Sequence, residues 1–337
     1  MSSNPKNNTV ISQYFEKRRA KLKAEQEAYE KMSGTQKLGN WVKTILNAIV
    51  VITILNGLLV ASMFVPTPSM ESTVLAGENL FVNKFVFGPS TPQIIPIVNI
   101  PLPFYKLPAF RDPQQGDIIV FIFPGNRDQV KADDFQYYLK RCIAVSGDTL
   151  KIINDSVYVN GVQYHLPGKA QHDPLLKHTP EMSENDKYYT FPRGAGFTRS
   201  NYGPIRIPKK GDVVSLSAEN ISAWSVFIQR EGHKVKNLDG RIFIDEKEQN
   251  SYTVERDYVF GMGDNRWNSA DSRYFGFIPK DDVVGTPMIV YWSMENRRLV
   301  RVFNPATGAE EMQEEEMSFF QRLLHIRWSR LFSLTNQ

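Results

Sequence analysis

Gly261-Met262-Gly263-Asp264-Asn265-Arg266-Trp267-Asn268-Ser269-Ala270-Asp271-Ser272-Arg273-Tyr274-Phe275-Gly276 packs charges, amides, hydroxyls and glycines into one loop without hydrophobic periodicity. Strand-like segments flank it, Asp257 to Phe260 before and Val283 to Tyr291 after, so the loop hangs from a β framework. A loop this dense in hydrogen-bonding groups is either a solvated turn or the polar support of a site.

Upstream, Tyr137-Tyr138-Leu139-Lys140-Arg141-Cys142-Ile143-Ala144-Val145 runs into Ser146-Gly147-Asp148 and reads as a β-strand with a lysine near its centre. Side chains alternate across a strand, so Lys140 and Arg141 leave on opposite faces, one free to enter a site while the other braces the fold. In apolar surroundings a lysine favours its neutral form, which takes the proton from a serine hydroxyl; on a solvated face it does not. Further upstream, Pro66-Thr67-Pro68-Ser69-Met70-Glu71-Ser72-Thr73 follows the only long apolar run of the chain. Its prolines fix φ at about −65° and push their predecessors into extended conformations, which makes Val65 to Ser69 a stiff edge for an extended peptide. Ser69 is either a turn serine or a nucleophile.

Together these elements resemble bacterial type I signal peptidase, the membrane-bound endopeptidase that removes signal peptides from exported proteins. The matching residues are Pro68-Ser69-Met70, Gly116-Asp117-Ile118-Ile119-Val120-Phe121, Tyr138-Leu139-Lys140-Arg141, and Gly263 to Arg266 through Asn268 to Arg273, in the family's order. The resemblance implies that Ser69 is the nucleophile and Lys140 its general base. It implies that the Thr67 hydroxyl and the Ser69 N–H stabilise the oxyanion, and that Ser269 positions the lysine amine. It further implies two supporting pairs, Arg141 with Asp264 and Asp271 with Arg273. Val65, Met70 and Leu139 fall where the family has shallow apolar pockets for the small side chains of Ala-x-Ala sequences, and no cofactor is implied. Two positions depart from the family: Trp267 stands where an aspartate is usual, and Thr67 replaces the more familiar serine.

The rest of the chain fits around this. A net charge of +4 without an aromatic-interleaved basic motif does not suggest nucleic acid. Residues 1–43 form a polar, lysine-rich segment with a mixed-charge helix near Glu16 to Lys31. The run Thr44 to Val65 carries no charge and is expected as one transmembrane helix. The basic residues from Lys17 to Lys43 precede it, so the N-terminus is expected in the cytoplasm and the catalytic region outside the plasma membrane. A cleaved signal peptide is the rival reading, against which stand the long basic leader and the length of the run. The catalytic core is expected in two parts, 66–150 and 256–304, split by a variable insertion at 151–255.

Strands are expected at Glu78 to Val86, Ile118 to Phe123, Leu150 to Ile153 and Val213 to Leu216, with a hairpin at Asn160-Gly161. Proline-dense Gly88 to Pro113, with Ile97, Val98, Leu102 and Phe104, reads as an extended surface loop packed on the sheet. A short helix is expected near Ala218 to Gln229. His165, His172, His178, His233 and His325 adjoin no serine motif and lack metal-ligand spacing, which disfavours Ser-His-Asp chemistry and zinc. Cys142 reads as a core residue. Residues 305–337, after Pro305, read as an acidic linker, Glu310 to Glu316, followed by an amphipathic tail, Met317 to Leu334, expected as a helix lying on the membrane surface or packed on the catalytic domain.

The expected architecture is mainly β: antiparallel sheets forming the catalytic core, an inserted second β-rich domain and one N-terminal transmembrane helix. The expected function is removal of signal peptides from preproteins, with the bilayer as the other partner. Alternatives are a catalytically inactive, membrane-anchored peptide-binding protein and a self-cleaving or regulatory serine/lysine protease.

Overall fold

The computed structural model describes residues 5–71, 73–91, 94–95, 100–101, 103, 105–166, 189–304 and 309–335. Ser72, Ile97, Val98, Leu102, Phe104, His172, His178 and Pro305 lie outside the described residues. The chain divides into two compact units, 1–54 and 55–337.

The first unit is helical: α1 (Pro5–Glu30) carries the mixed charges, and α2 (Gly34–Leu58) becomes apolar from Trp41 onward. Trp41, Ile45, Leu46, Val50 and Val51 are exposed along α2. The expectation of one helix from Thr44 to Val65 is corrected. The helix stops at Leu58, and Val60–Phe64 is instead strand β1, paired antiparallel with β2 (Glu78–Asn83). In β1 every second residue turns inward, and Ala61 and Met63 pack on buried Leu80 and Val82. A helix through these residues would lose both that alternation and the ladder. Among the described residues, no helix is long and apolar enough to cross a membrane.

The two-residue strands β3 (Ile94–Ile95) and β4 (Ile100–Pro101) pair within the proline-dense loop. The arms of that loop are bridged at Ser90 and Lys106, and the Lys106 ammonium donates to the Asp281 and Val283 carbonyls at 3.0 and 2.6 Å. Next come β5 (Ile118–Ile122) and β6 (Tyr137–Val145). Beyond the insertion lie β16 (Tyr258–Met262), β17 (Ile278–Pro279) and β18 (Val283–Ser293). These strands form a seven-stranded antiparallel sheet in the order β1-β2-β18-β5-β6-β16-β17. β18 joins its halves: Val283 and Gly285 pair with β5, and Thr286 to Ser293 pair with β2. Pro287, which cannot donate to a ladder, sits where the β18–β2 register shifts.

The insertion carries β7 (Thr149–Ile153), β8 (Ser156–Val159), β9 (Val162–Tyr164) and β10 (Tyr202–Arg206) in one four-stranded sheet. Asn160 and Gly161 turn β8 into β9 with φ of 53° and 81°, the left-handed pair that a two-residue hairpin needs. Its other strands are β11 (Val213–Ser215), β12 (Val235–Leu238), β13 (Arg241–Ile244), β14 (Lys247–Glu248) and β15 (Ser251–Thr253). The short helix α3 (Ile221–Arg230) lies close to its expected place. One buried apolar cluster joins Ile152, Tyr202, Phe227 and Ile228 to Ile143 of β6 and Phe260 and Met262 of β16.

The tail departs from expectation. Glu310 to Glu316 is not a linker but part of β20 (Ala309–Glu316), paired with β19 (Arg297–Asn304). That register sets Glu316 and Glu315 opposite Arg297 and Arg298 along the ladder. Met317 to Leu334 is not one helix either: α4 (Phe319–Leu324) ends at His325, and bridges from Ile326 to Met294 and from Leu334 to Ile289 return the chain to β18.

Candidate active site

Pro68–Met70 forms one 3₁₀ turn directly after extended Thr67, which places Ser69 against the middle of β6. Ser69 and Lys140 are both buried, and Lys140 Nζ lies 2.8 Å from Ser69 Oγ. The lysine also donates to the Leu139 carbonyl at 3.0 Å, and its Nζ lies 5.5 Å from the Tyr138 ring centroid. Burial lowers the Lys140 pKa to about 8, although Asp271 and Asp264 pull it upward; Arg273 adds to the lowering. Desolvation outweighs the two carboxylates.

Thr67 Oγ1 lies 3.5 Å from Ser69 Oγ, on the exposed side of the pair. Val65, Met70 and Leu139 belong to one buried cluster with Val74, Ile118 and Val120. Ser269 is different: its buried Oγ has no hydrogen-bond partner among the described residues, and the lysine bond expected of it is not made. It nonetheless stands close by, because a Cβ on Gly263 would meet Ser269 Oγ at 2.2 Å and the Ser69 carbonyl oxygen at 2.5 Å. Only glycine allows the polar loop to pass this near the Ser69 backbone. The Asn265 N–H then donates to the Ser69 carbonyl at 3.1 Å.

Arg141 Nε and Nη2 hold both oxygens of Asp264 at 2.8 and 2.7 Å, while Nη1 donates to the Gly116 carbonyl. The Thr73 hydroxyl donates to Asp264 Oδ2 at 2.6 Å, tying the segment after Ser69 to this pair. That role was not evident in the sequence, since a threonine four residues past a serine has no signature. Arg273 forks onto Asp271 at 2.9 and 2.8 Å, and both are buried. Burial pushes the Asp271 carboxyl up, but Arg273 and the Gly263 N–H outweigh it and hold the group below its usual range. Asp271 also caps the short helix Ser272–Phe275, whose Ser272 Oγ accepts from Gly261 N. Trp267 is half-buried, and its carbonyl accepts from Arg199.

Cys142 is buried among Phe87, Ile119 and Phe121, and burial pushes its thiol well up, so it is no nucleophile. His233 lies between Asp245 and Glu255, remote in chain and partners from Ser69. Among the described residues, no group of acids, histidines and cysteine is arranged to hold a metal.

Residues 38–292 match the model of the family described as "Signal peptidase, peptidase S26". Signal peptidase I of Helicobacter pylori strain J99 is 27% identical over 315 residues, covering 87% of this chain and 90% of that protein. Signal peptidase I of Aquifex aeolicus is 27% identical over 252 residues, covering 74% and 82%. Signal peptidase I P of Bacillus subtilis subsp. natto is 25% identical over 260 residues, covering 77% and 91%. A family match that runs from α2 almost to the end of β18, and so takes in Ser69, Lys140 and the whole polar loop, makes the chain a member of the signal peptidase family, peptidase S26, and a serine endopeptidase.

Proposed function

We propose that this endopeptidase removes signal peptides from exported preproteins, cutting after small-x-small sequences with Ser69 as nucleophile and Lys140 as general base. The observation that carries the reading is the buried 2.8 Å approach of Lys140 Nζ to Ser69 Oγ. The neutral amine accepts the Ser69 proton as Oγ attacks the carbonyl carbon of the scissile bond. The oxyanion is held by the Ser69 N–H and the Thr67 hydroxyl, each donor being worth roughly 3 kcal/mol of barrier. The lysine ammonium then gives its proton to the leaving amine, and a Ser69 ester remains. Water, deprotonated by the same amine, hydrolyses that ester and returns Ser69. No cofactor enters, since each step needs only a nucleophile and a proton carrier. Val65, Met70 and Leu139 border the pair with apolar surface, which suits small side chains.

We further infer a plasma-membrane anchor through α2, with the N-terminus cytoplasmic and the site outside. Its support is the uncharged run from Thr44 onward, the exposed apolar side chains of α2, and the basic residues before it. Exposed Phe319, Phe320, Leu324, Trp328 and Phe332 offer the tail's outer face to lipid.

The test is cleavage of a purified preprotein by the detergent-solubilised chain beside Ser69→Ala and Lys140→Ala variants checked for folding. The parent is expected to cut after a small-x-small sequence and both variants to fail. Normal cutting by Lys140→Ala removes the proposed base, and peptide binding without cutting by the parent overturns the reading.

A further inference from the structure

The chain beyond the family-matched residues returns to the site. Only the first part of β18 pairs with β5, and the tail lies along the remainder. Arg327 N donates to the Ser293 carbonyl at 3.0 Å, Phe332 N to Val290 O at 2.7 Å, and Thr335 N to Met288 O at 3.1 Å. Val290 N returns a bond to Ser333 O, and the buried Thr335 hydroxyl donates to Pro287 O at 2.8 Å.

From this track two arginines reach the segment that joins Ser69 to β2. Arg327 Nη2 donates to the Ala76 and Met294 carbonyls at 2.5 and 2.9 Å. Arg330 Nε and Nη2 hold the two oxygens of fully buried Glu78 at 2.7 and 3.1 Å, and Nη2 also donates to the Thr73 carbonyl at 2.9 Å. Glu78 receives Leu75 N and Ser293 Oγ as well. Thr73 is therefore held from two sides: Arg330 takes its carbonyl, and Asp264 takes its hydroxyl.

We propose that residues 325–335 form a strap that holds the 70–78 segment, and through it Ser69, at its distance from Lys140, with Arg330 as the positioning residue. The inference rests on the signal-peptide-cleavage reading for its kinetic consequence, but its mechanical content does not. Thr73 N and Val74 N both donate to the Met70 carbonyl, so slack at Thr73 reaches the residue next to the nucleophile in one step. A displacement of about 1 Å at a reacting group costs up to a hundredfold in rate.

Removing Arg330 alone strands a buried carboxylate and risks unfolding, so the decisive variant is the neutral pair Glu78→Gln with Arg330→Met in the full chain. Preprotein cleavage gives kcat and KM, and hydrogen exchange with peptide-level readout follows residues 70–78 against β5 and β6. The strap predicts kcat about tenfold lower with KM within twofold, exchange at 70–78 at least tenfold faster, and parent-like exchange in β5 and β6. Arg330→Lys, which keeps a charge on Glu78 but loses the fork, is expected to recover part of kcat. Parent-like kcat and parent-like exchange at 70–78 in the folded neutral pair overturn the strap, as does equal loosening of all three segments. A parent chain that fails to cut any preprotein sinks the functional reading instead, and the exchange measurement still decides the strap.

Discussion

Burial lowers the Lys140 pKa and Arg273 adds to the lowering, so chemistry that uses its neutral amine should be visible as a function of pH. With a pKa of about 8, the neutral base is the minor form at pH 7 and the major form above pH 8. We expect kcat/KM to rise about tenfold per pH unit below that value and to level above it. Lys140→Arg, charged at every accessible pH, should lose on the order of a thousandfold with no recovery at high pH. Gly263 supplies a second prediction. Gly263→Ala forces a methyl against the Ser69 carbonyl and Ser269, and we expect about 1–3 kcal/mol lost in urea unfolding together with slower cleavage. A parent-like rate would mean that the loop gives way without moving Ser69. These residues were legible because their types and order form a known pattern. Thr73, Glu78 and Arg330 were not, because an arginine 252 positions from its carboxylate leaves no local signal.

At the scale of elements, strands with strong alternation or turn chemistry stand where the sequence puts them, β6 and the β8–β9 hairpin above all. The apolar run was misjudged at its end, where pairing with β2 makes a strand of residues that hydropathy alone reads as more helix. The acidic segment was misjudged for the same reason, because backbone pairing with β19 makes a strand of residues that composition alone reads as solvated. Within the insertion, His233 clamps the end of α3 to the β13–β14 turn. Its Nδ1 lies 2.6 Å from Asp245 and its Nε2 3.0 Å from Glu255. The bond to Asp245 and then that to Glu255 raise the histidine pKa against the pull of partial burial. A raised folded-state pKa contributes stability that is fully present below the unfolded value of about 6.5 and is lost as pH climbs through the folded value. After correction for intrinsic chemical exchange, amides at 233–255 should therefore be better protected at pH 6 than at pH 8.5. His233→Asn should abolish the difference; a difference that persists in the variant would assign the effect to another group.

For the second unit as a whole, the largest apolar cluster does not respect the division between insertion and catalytic strands. Phe260 of β16 is fully buried and packs edge-on to Phe277 and tilted against Tyr202, so Phe260→Ala should cost about 3–5 kcal/mol. Calorimetry should show residues 55–337 melting in one transition. Two separated transitions, with only one moved by Phe260→Ala, would show that the shared cluster does not couple them. The sequence by itself determined the β character of the chain, the strands with clear period-two alternation, and the order of serine, lysine strand and polar loop. Such features are local, written in side-chain type and spacing within a few residues. Only the tertiary structure decided where the apolar helix stops, how the tail returns to β18, and which arginine answers Glu78. These depend on which distant backbone edge or buried charge lies opposite, and no short window of sequence contains both partners.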